Sequence, residues 1–224
     1  GMSAERFHWL ESVAGEIIKT PGTESNVKEI FDKCNELRQS GEDLVIFNQF
    51  DEFGNYLWHY TVTGPAMVEA LEDAMAEGET FRGVALATGS AGTIASGDYL
   101  KQVYPGALIG AAEATQCPTI LYNGFGEHRI EGIGDKHIPW IHNVKNTDMA
   151  IGVDDEATIS LTRLFNEPAG KQYLVDQGVK PELVEQLSLF GISCIGNMVA
   201  TIKMAKHYEM GSGDVLVTVG TDSM

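Results

Sequence analysis

The chain has 224 residues and a formal charge of −17, from 15 Lys and Arg against 32 Asp and Glu. That length suits one domain or one and a half around a large core, and no apolar run approaches the roughly 20 residues of a bilayer-spanning helix. A surface this acidic repels a phosphate backbone and offers no basic cluster to receive one, which speaks against a nucleic-acid partner. Cys34, Cys117 and Cys194 fit neither a disulfide framework nor a zinc spacing, and they suit a reducing cytoplasm. The opening residues lack a signal-peptide pattern, and Gly1 ahead of Met2 resembles a remnant of tag cleavage.

In chain order, Gly15 to Thr20 (GEIIKT) is short and β-branched, closes on Pro21-Gly22, and predicts a strand. Val27, Ile30, Phe31, Cys34 and Leu37 form one apolar stripe at helical spacing, with Asn26 and Glu29 placed as a capping pair. Asp43 to Phe47 (DLVIF) predicts a second strand. Gly64-Pro65 opens a helix carrying Met67, Leu71 and Met75, with proline where its missing N–H costs nothing. Phe81 to Ala87 predicts a buried strand, Gly89 to Thr93 a turn, Ile94 to Val103 a helix, and Ala107 to Glu113 a strand with no polar alternation.

The stretch from Gln116 to Asn146 is irregular and glycine-rich, a length more often functional than idle. Met149 to Val153 predicts a strand, and Asp154 caps a helix to about Phe165. Pro181 to Leu189 predicts a further helix, Ile195 to Ala205 stripe a long one, and Asp214 to Val219 form the last strand. Alternating strands and helices give an α/β fold in three layers, a parallel sheet with helices on both faces.

The loop Gly89-Ser90-Ala91-Gly92-Thr93 joins a strand to a helix. Small residues admit close approach and a helix start offers unpaired N–H groups, so the loop reads either as a phosphate cradle or as a tight turn packing helix on sheet. Neither Walker A nor GxGxxG spacing is present. Gln49 follows a predicted strand, where a parallel sheet faces its ligand crevice. Ser223 follows the last strand, where its hydroxyl serves either a ring nitrogen or a turn. The six histidines show no ligand spacing, so no metal is expected, and no GxSxG elbow marks a nucleophile. Cys194, at the start of an apolar helix, is either an activated thiol or, more commonly, a buried structural one.

The order of several segments resembles the pyridoxal-phosphate (PLP) enzymes of the tryptophan synthase β-subunit fold (fold type II), in particular the cysteine synthase and cystathionine β-synthase group. Met2-Ser3-Ala4-Glu5-Arg6 with Gly15-Glu16-Ile17-Ile18 and Thr20-Pro21-Gly22 looks like that group's "MS.ER...GAE...T.G". Gln49-Phe50, Asn55, His59 and Thr63-Gly64-Pro65 look like its "QF.N..N...H...TGPE", and Gly89 to Thr93 like its "GTGGT" phosphate loop. Ile130 to Gly134 with Pro139, Gly191-Ile192-Ser193, and Asp222-Ser223 resemble its "IxGIG...P", "GIS" and "PDS" segments.

The resemblance implies that the backbone of Gly89, Ser90, Ala91, Gly92 and Thr93 holds the PLP phosphate and that Ser223 meets the pyridine nitrogen. It also implies that Gln49 and Gly132 help hold an amino-acid substrate, and that Asp222 is the residue to check as a stronger ring partner. A neutral ring partner suits β-elimination or β-replacement. The family's Schiff-base lysine and Ser/Thr-Asn loop lie upstream of its "MS.ER" segment, where this sequence begins. No catalytic lysine is therefore assigned, and the chain reads as an incomplete, inactive piece of a lyase or synthase, with noncovalent PLP at most. Residues 1–62 would be the remainder of a small N-terminal domain and 63–224 a large cofactor-binding domain lacking its last helices. A cytoplasmic homodimer is implied. Ser90 and Ala91 within the loop, Cys194-Ile195, Ala66 and a lengthened 166–189 region depart from the group. The rival reading is a natural short homologue acting as a binding or regulatory module.

Overall fold

The computed structural model describes residues 4–22 and 27–223. Met2, Ser3 and the capping residue Asn26 lie outside them. At the centre is a four-stranded parallel sheet in the order β3-β2-β1-β4: β1 (Thr80–Ala87), β2 (Leu108–Ala114), β3 (Met149–Val153) and β4 (Asp214–Val217). Alternate residues of each strand face opposite layers. Val84, Leu86, Ile109 and Ala111 pack with Met67, Leu71, Ile94 and Leu100 from helices α4 (Gly64–Ala74) and α5 (Ile94–Val103). Ala85, Ala112, Ala114, Ile151 and Val153 pack with Ala200 and Met204 of helix α10 (Ile192–His207). The alanines on that face let α10 settle close to the sheet, while the larger residues fill the other side. Each fully buried large aliphatic contributes roughly 1.5–3 kcal/mol.

The three-layer α/β architecture and the strands expected at 81–87, 107–113, 149–153 and 214–219 are all present. Asp154 caps α7 (Asp155–Asn166), its side chain accepting from Glu156 N at 2.9 Å and Ala157 N at 3.3 Å. Helix α2 (Lys28–Gln39) carries the expected stripe, although Val27 begins it without a side-chain cap.

Three expectations need correction. Neither 15–20 nor 43–47 is a strand; both are non-regular and enter no ladder. A β-strand is a hydrogen-bonded partnership, and an apolar run without a neighbour has no ladder to join. The helix expected to open at Gly64-Pro65 is instead the last part of a continuous helical run that starts with α3 (Phe53–Trp58) and passes through a π-helical turn, His59–Thr63. Gly64 N donates to His59 O, five residues back, and this wider turn sits immediately before the proline that lacks an N–H. The expected domain boundary at 62/63 falls inside this run. Helices α1 (Ala4–Val13), α6 (Thr119–Tyr122) and α8 (Pro168–Asp176) were not anticipated; α9 (Pro181–Gln186) continues into a 3-10 turn, Leu187–Leu189, as expected.

From β1 the chain moves outward to β2 and then β3, and it returns to place β4 on the opposite side of β1. The connections therefore diverge at the carboxyl ends of β1 and β4, which is where open parallel sheets leave a ligand crevice.

Candidate functional site

That crevice is a cavity of about 680 Å3. The loop after β1 (Gly89 to Thr93), the segment Gly132 to Gly134, Gln49 and Phe50, His59, and Ser193, Asn197, Val219 and Thr221 all line it. Helices α1 and α2 close the other side with Phe7, Leu10, Ile30 and Cys34.

The phosphate-loop candidate is built by the end of β1. Thr88 N donates to Ala112 O at 3.0 Å, and Gly134 N donates to Thr88 O at 2.7 Å, docking the Gly132–Gly134 segment against the loop. Ala91 has a φ of +63°, a left-handed conformation that costs a non-glycine residue roughly 1–2 kcal/mol. The strained residue matches the third position, a glycine, of the "GTGGT" motif that this loop resembles. At Gly92 a Cβ would stand 2.3 Å from Asn55 Oδ1 and 2.8 Å from the His59 ring, so only glycine fits beneath α3. No side chain caps α5; at its start Ala95 N donates to Gly92 O and Ser96 N to Thr93 O. The N–H groups ahead of Ala95, in the loop and at Ile94, are the ones left for an acceptor from the cavity, with the positive end of the helix dipole behind them.

Gln49 reaches the cavity by a route different from the expected strand end. Asn48, 5% exposed, makes an Asx-type turn: its Oδ1 accepts from Phe50 N at 3.2 Å, and its carbonyl accepts from Asp51 N and Glu52 N. Asn55 Nδ2 then donates to Gln49 O at 3.0 Å and to Ser90 Oγ at 3.1 Å. The Asn48 turn passed unnoticed in the sequence, although Asn ahead of a chain reversal was the available signal. His59 is bonded through Nδ1 to Thr63 Oγ1 at 2.9 Å, and burial pushes its pKa down, so the ring facing Gly92 is neutral near pH 7.

The far end of the cavity is formed where α10 begins. Ser193 Oγ lies 2.8 Å from Thr221 Oγ1 and 2.7 Å from Asp222 Oδ1. The Asp222 carboxylate also meets Ser193 N at 3.4 Å, Cys194 N at 3.3 Å and Cys194 Sγ at 2.9 Å. Burial works against this charge, but the bonds from Cys194 and Ser193 outweigh it and hold the carboxyl below its ordinary range. Asp222 is therefore the tertiary cap of α10, engaged by that helix rather than aimed at a ring. Gly191 makes room for it, since a Cβ there would stand 2.4 Å from Asp222 Cγ. Cys194 is 3% exposed, donates to Asp222, and accepts from Thr221 N at 3.1 Å, a structural thiol.

Seven of the eight residues assigned to cofactor or substrate thus come together: Gln49, Gly89, Ser90, Ala91, Gly92, Thr93 and Gly132. Ser223 does not; it is exposed and outside the cavity lining. Thr221 and Ser193 present the hydroxyls at that end instead, and neither was singled out from the sequence for this role. Lys19 and Lys33 also line the cavity, Lys33 paired with Glu36 at 2.8 Å and Lys19 lying over the Phe7 ring. Among the described residues no group of three His, Cys, Asp or Glu side chains converges for a metal ion, and no single helix is long and apolar enough to cross a membrane.

No protein-family model matches the chain. It is 28% identical over 219 residues to a cysteine synthase of Staphylococcus aureus, covering 97% of this chain and 62% of the relative. It is 25% identical over 232 residues to cystathionine beta-synthase of Saccharomyces cerevisiae, covering 42% of that protein. Among solved structures, a hydrogen sulfide-producing enzyme of Fusobacterium nucleatum superposes with a TM-score of 0.77 at 25% identity, over 99% of this chain and 60% of the other. The O-acetylserine-dependent cystathionine beta-synthase of Helicobacter pylori gives a TM-score of 0.77 at 23% identity, over 99% of this chain and 64% of the other. The chain thus spans less than two thirds of the length of these relatives. Over nearly all of its own length it is a homologue of the cysteine synthases and cystathionine β-synthases, with the tryptophan synthase β-subunit-like α/β fold of that group.

Proposed function

We propose that this chain supplies the phosphate cup and part of the substrate wall of a PLP-dependent enzyme that acts on amino acids by β-elimination or β-replacement. The observation that carries the reading is the meeting of the Gly89–Thr93 loop, Gln49 and Gly132 in one cavity at the carboxyl ends of β1 and β4. A phosphate group suits this structure on its own terms, because α5 has no side-chain cap and the loop before it presents small residues to the cavity. When bound there, PLP supplies the electron sink that stabilises negative charge at the α-carbon of an amino acid.

The chain's own residues have separate tasks. Backbone N–H groups of the loop, with the Ser90 hydroxyl, hold the phosphate. Thr221 and Ser193 offer neutral hydroxyls at the opposite end, a role the sequence resemblance gave to Ser223. A neutral partner there favours eliminations and replacements over transamination. Gln49 and Gly132 bound the space for the amino acid, and Phe7, Leu10 and Ile30 restrict water. Lys19 and Lys33 are the lysines on the cavity wall, and neither occupies the family's Schiff-base position, so binding to this chain is noncovalent. The free cysteines Cys34, Cys117 and Cys194 are compatible with a cytoplasmic setting.

Titration calorimetry with PLP and with pyridoxal, which lacks the phosphate, tests the assignment. PLP should bind at least about tenfold more tightly, a difference of about 1.4 kcal/mol. Borohydride treatment followed by mass spectrometry should leave no adduct. Equal affinity for the two compounds, or no binding of either, overturns the phosphate cup. An adduct on Lys19 or Lys33 overturns the noncovalent mode. Tight PLP binding without turnover in any longer native form of the polypeptide would favour a binding or regulatory module instead.

A further inference from the structure

Asn55 stands on α3, behind the cavity wall rather than in it, yet it joins the two halves of the site. Its Nδ2 donates to Ser90 Oγ in the phosphate loop and to the carbonyl of Gln49 in the substrate wall, at 3.1 and 3.0 Å. The Gln49 carbonyl can only accept, so the amide group facing it must be the nitrogen, which fixes which way the Asn55 side chain points. Both amide protons are then in use, and Oδ1 is left beside Gly92, within 2.3 Å of where a Cβ would lie.

This has a consequence for Ser90. A hydroxyl carries one proton. Because Ser90 Oγ accepts from Asn55, that proton remains to be donated, and no second partner of this hydroxyl is found among the described residues. Ser90 lines the cavity. A group that accepts hydrogen bonds and cannot donate them, such as a phosphate or sulfate oxygen, is what a hydroxyl polarised in this direction binds best.

We infer that Asn55 is a positioning residue: its bond to Gln49 O fixes which way its amide points, and by donating to Ser90 Oγ it sets the Ser90 hydroxyl as a donor to a tetrahedral oxyanion. The inference rests on the phosphate-cup reading and extends it to a residue that touches no ligand.

The test is a double-mutant cycle read by the affinity for inorganic phosphate and for sulfate, which carries no titrating proton near neutral pH. Ser90→Ala and Asn55→Ala should each weaken both anions by about tenfold, the size of one lost charge-assisted hydrogen bond. The double variant should be no weaker than Ser90→Ala alone, since Asn55 acts through that hydroxyl. Asn55→Asp, which keeps the side-chain volume, should weaken binding more than Asn55→Ala, because a carboxylate takes the Ser90 proton and adds a repelling charge. Thermal melting of each variant separates lost binding from lost folding. Losses that multiply in the double variant, or Asn55→Asp binding as tightly as wild type, overturn the role of Asn55. If wild type binds neither anion and does not bind PLP, the phosphate cup itself fails.

Discussion

The runs Phe81–Ala87 and Asp43–Phe47 are both short, apolar and rich in strand-forming residues, and they end in opposite environments. In the first, Val84, Ala85 and Leu86 are completely buried between two parallel neighbours and under helices on both faces. In the second, Val45 is 80% and Phe47 91% exposed, and the backbone pairs with nothing in the sheet. Composition makes a segment capable of being a strand; a ladder partner and a covering layer make it one. The Gly89–Thr93 loop grows from the end of the buried run, so its geometry inherits the rigidity of the sheet. Gln49 grows from the exposed run, and it is held by two asparagines, Asn48 and Asn55, in place of a sheet.

The largest effect that this contrast predicts is for Leu86→Ala, which should cost about 2–5 kcal/mol in urea unfolding, as for a large residue removed from a packed core. A loss under about 1 kcal/mol would mean that the sheet is not the rigid base of the site. Asp222→Ala should come next, at about 1–2 kcal/mol, because α10 loses the carboxylate that caps its first turn. Asp222→Asn should recover part of that loss, and a neutral result for both would remove the cap assignment.

Asp135 offers a smaller and pH-dependent contrast. It follows Gly134, which docks beside the Gly89–Thr93 loop, and burial pushes its carboxyl up to about 6 despite the opposing pull of His137 at 3.0 Å. A carboxyl with a raised folded pKa binds its proton more tightly in the native state than in the unfolded one. Stability relative to Asp135→Asn should therefore fall as pH climbs from about 4 to about 6 and stay level above that. Glu113 and His142 line the same small void, and Lys136 adjoins it in sequence, so the variant comparison is needed to isolate Asp135. A stability difference that rises with pH across this window would show that the His137 pair outweighs burial. The smallest effect belongs to Phe47→Ser, within about 0.5 kcal/mol of wild type. A larger loss would show that the 43–47 run is packed after all and would dissolve the contrast.

Much of the site could be read from residues in order. The Gly89–Thr93 loop was legible as small residues between a buried strand and a helix, a pattern shared by a phosphate cradle and a tight turn, and it does line the cavity. Gln49 and Gly132 were legible through their motif companions rather than through any local rule, and the reason given for Gln49, a preceding strand, did not hold. Ser223 failed as a cavity residue because the chain leaves the cavity after Thr221, where Asp222 is tied to the start of α10 through both its side chain and its carbonyl. Thr221 faces the cavity in its place, with Asp222 turned to the start of α10. Asn55 was visible as a motif position, but its task depends on two acceptors 6 and 35 residues away in the chain.

Periodicity, the alternation of strands and helices, and the positions of glycine and proline were enough to determine an α/β chain, the six apolar runs among which its four strands are found, and a small-residue loop between a strand and a helix. These are properties of near neighbours, governed by backbone sterics and by which faces must be buried. Tertiary structure alone decided which apolar runs found a ladder, that the helix before Pro65 continues through a π turn, and which hydroxyls meet at the end of the cavity. Those outcomes depend on contacts between residues distant in the chain, which local pattern does not carry.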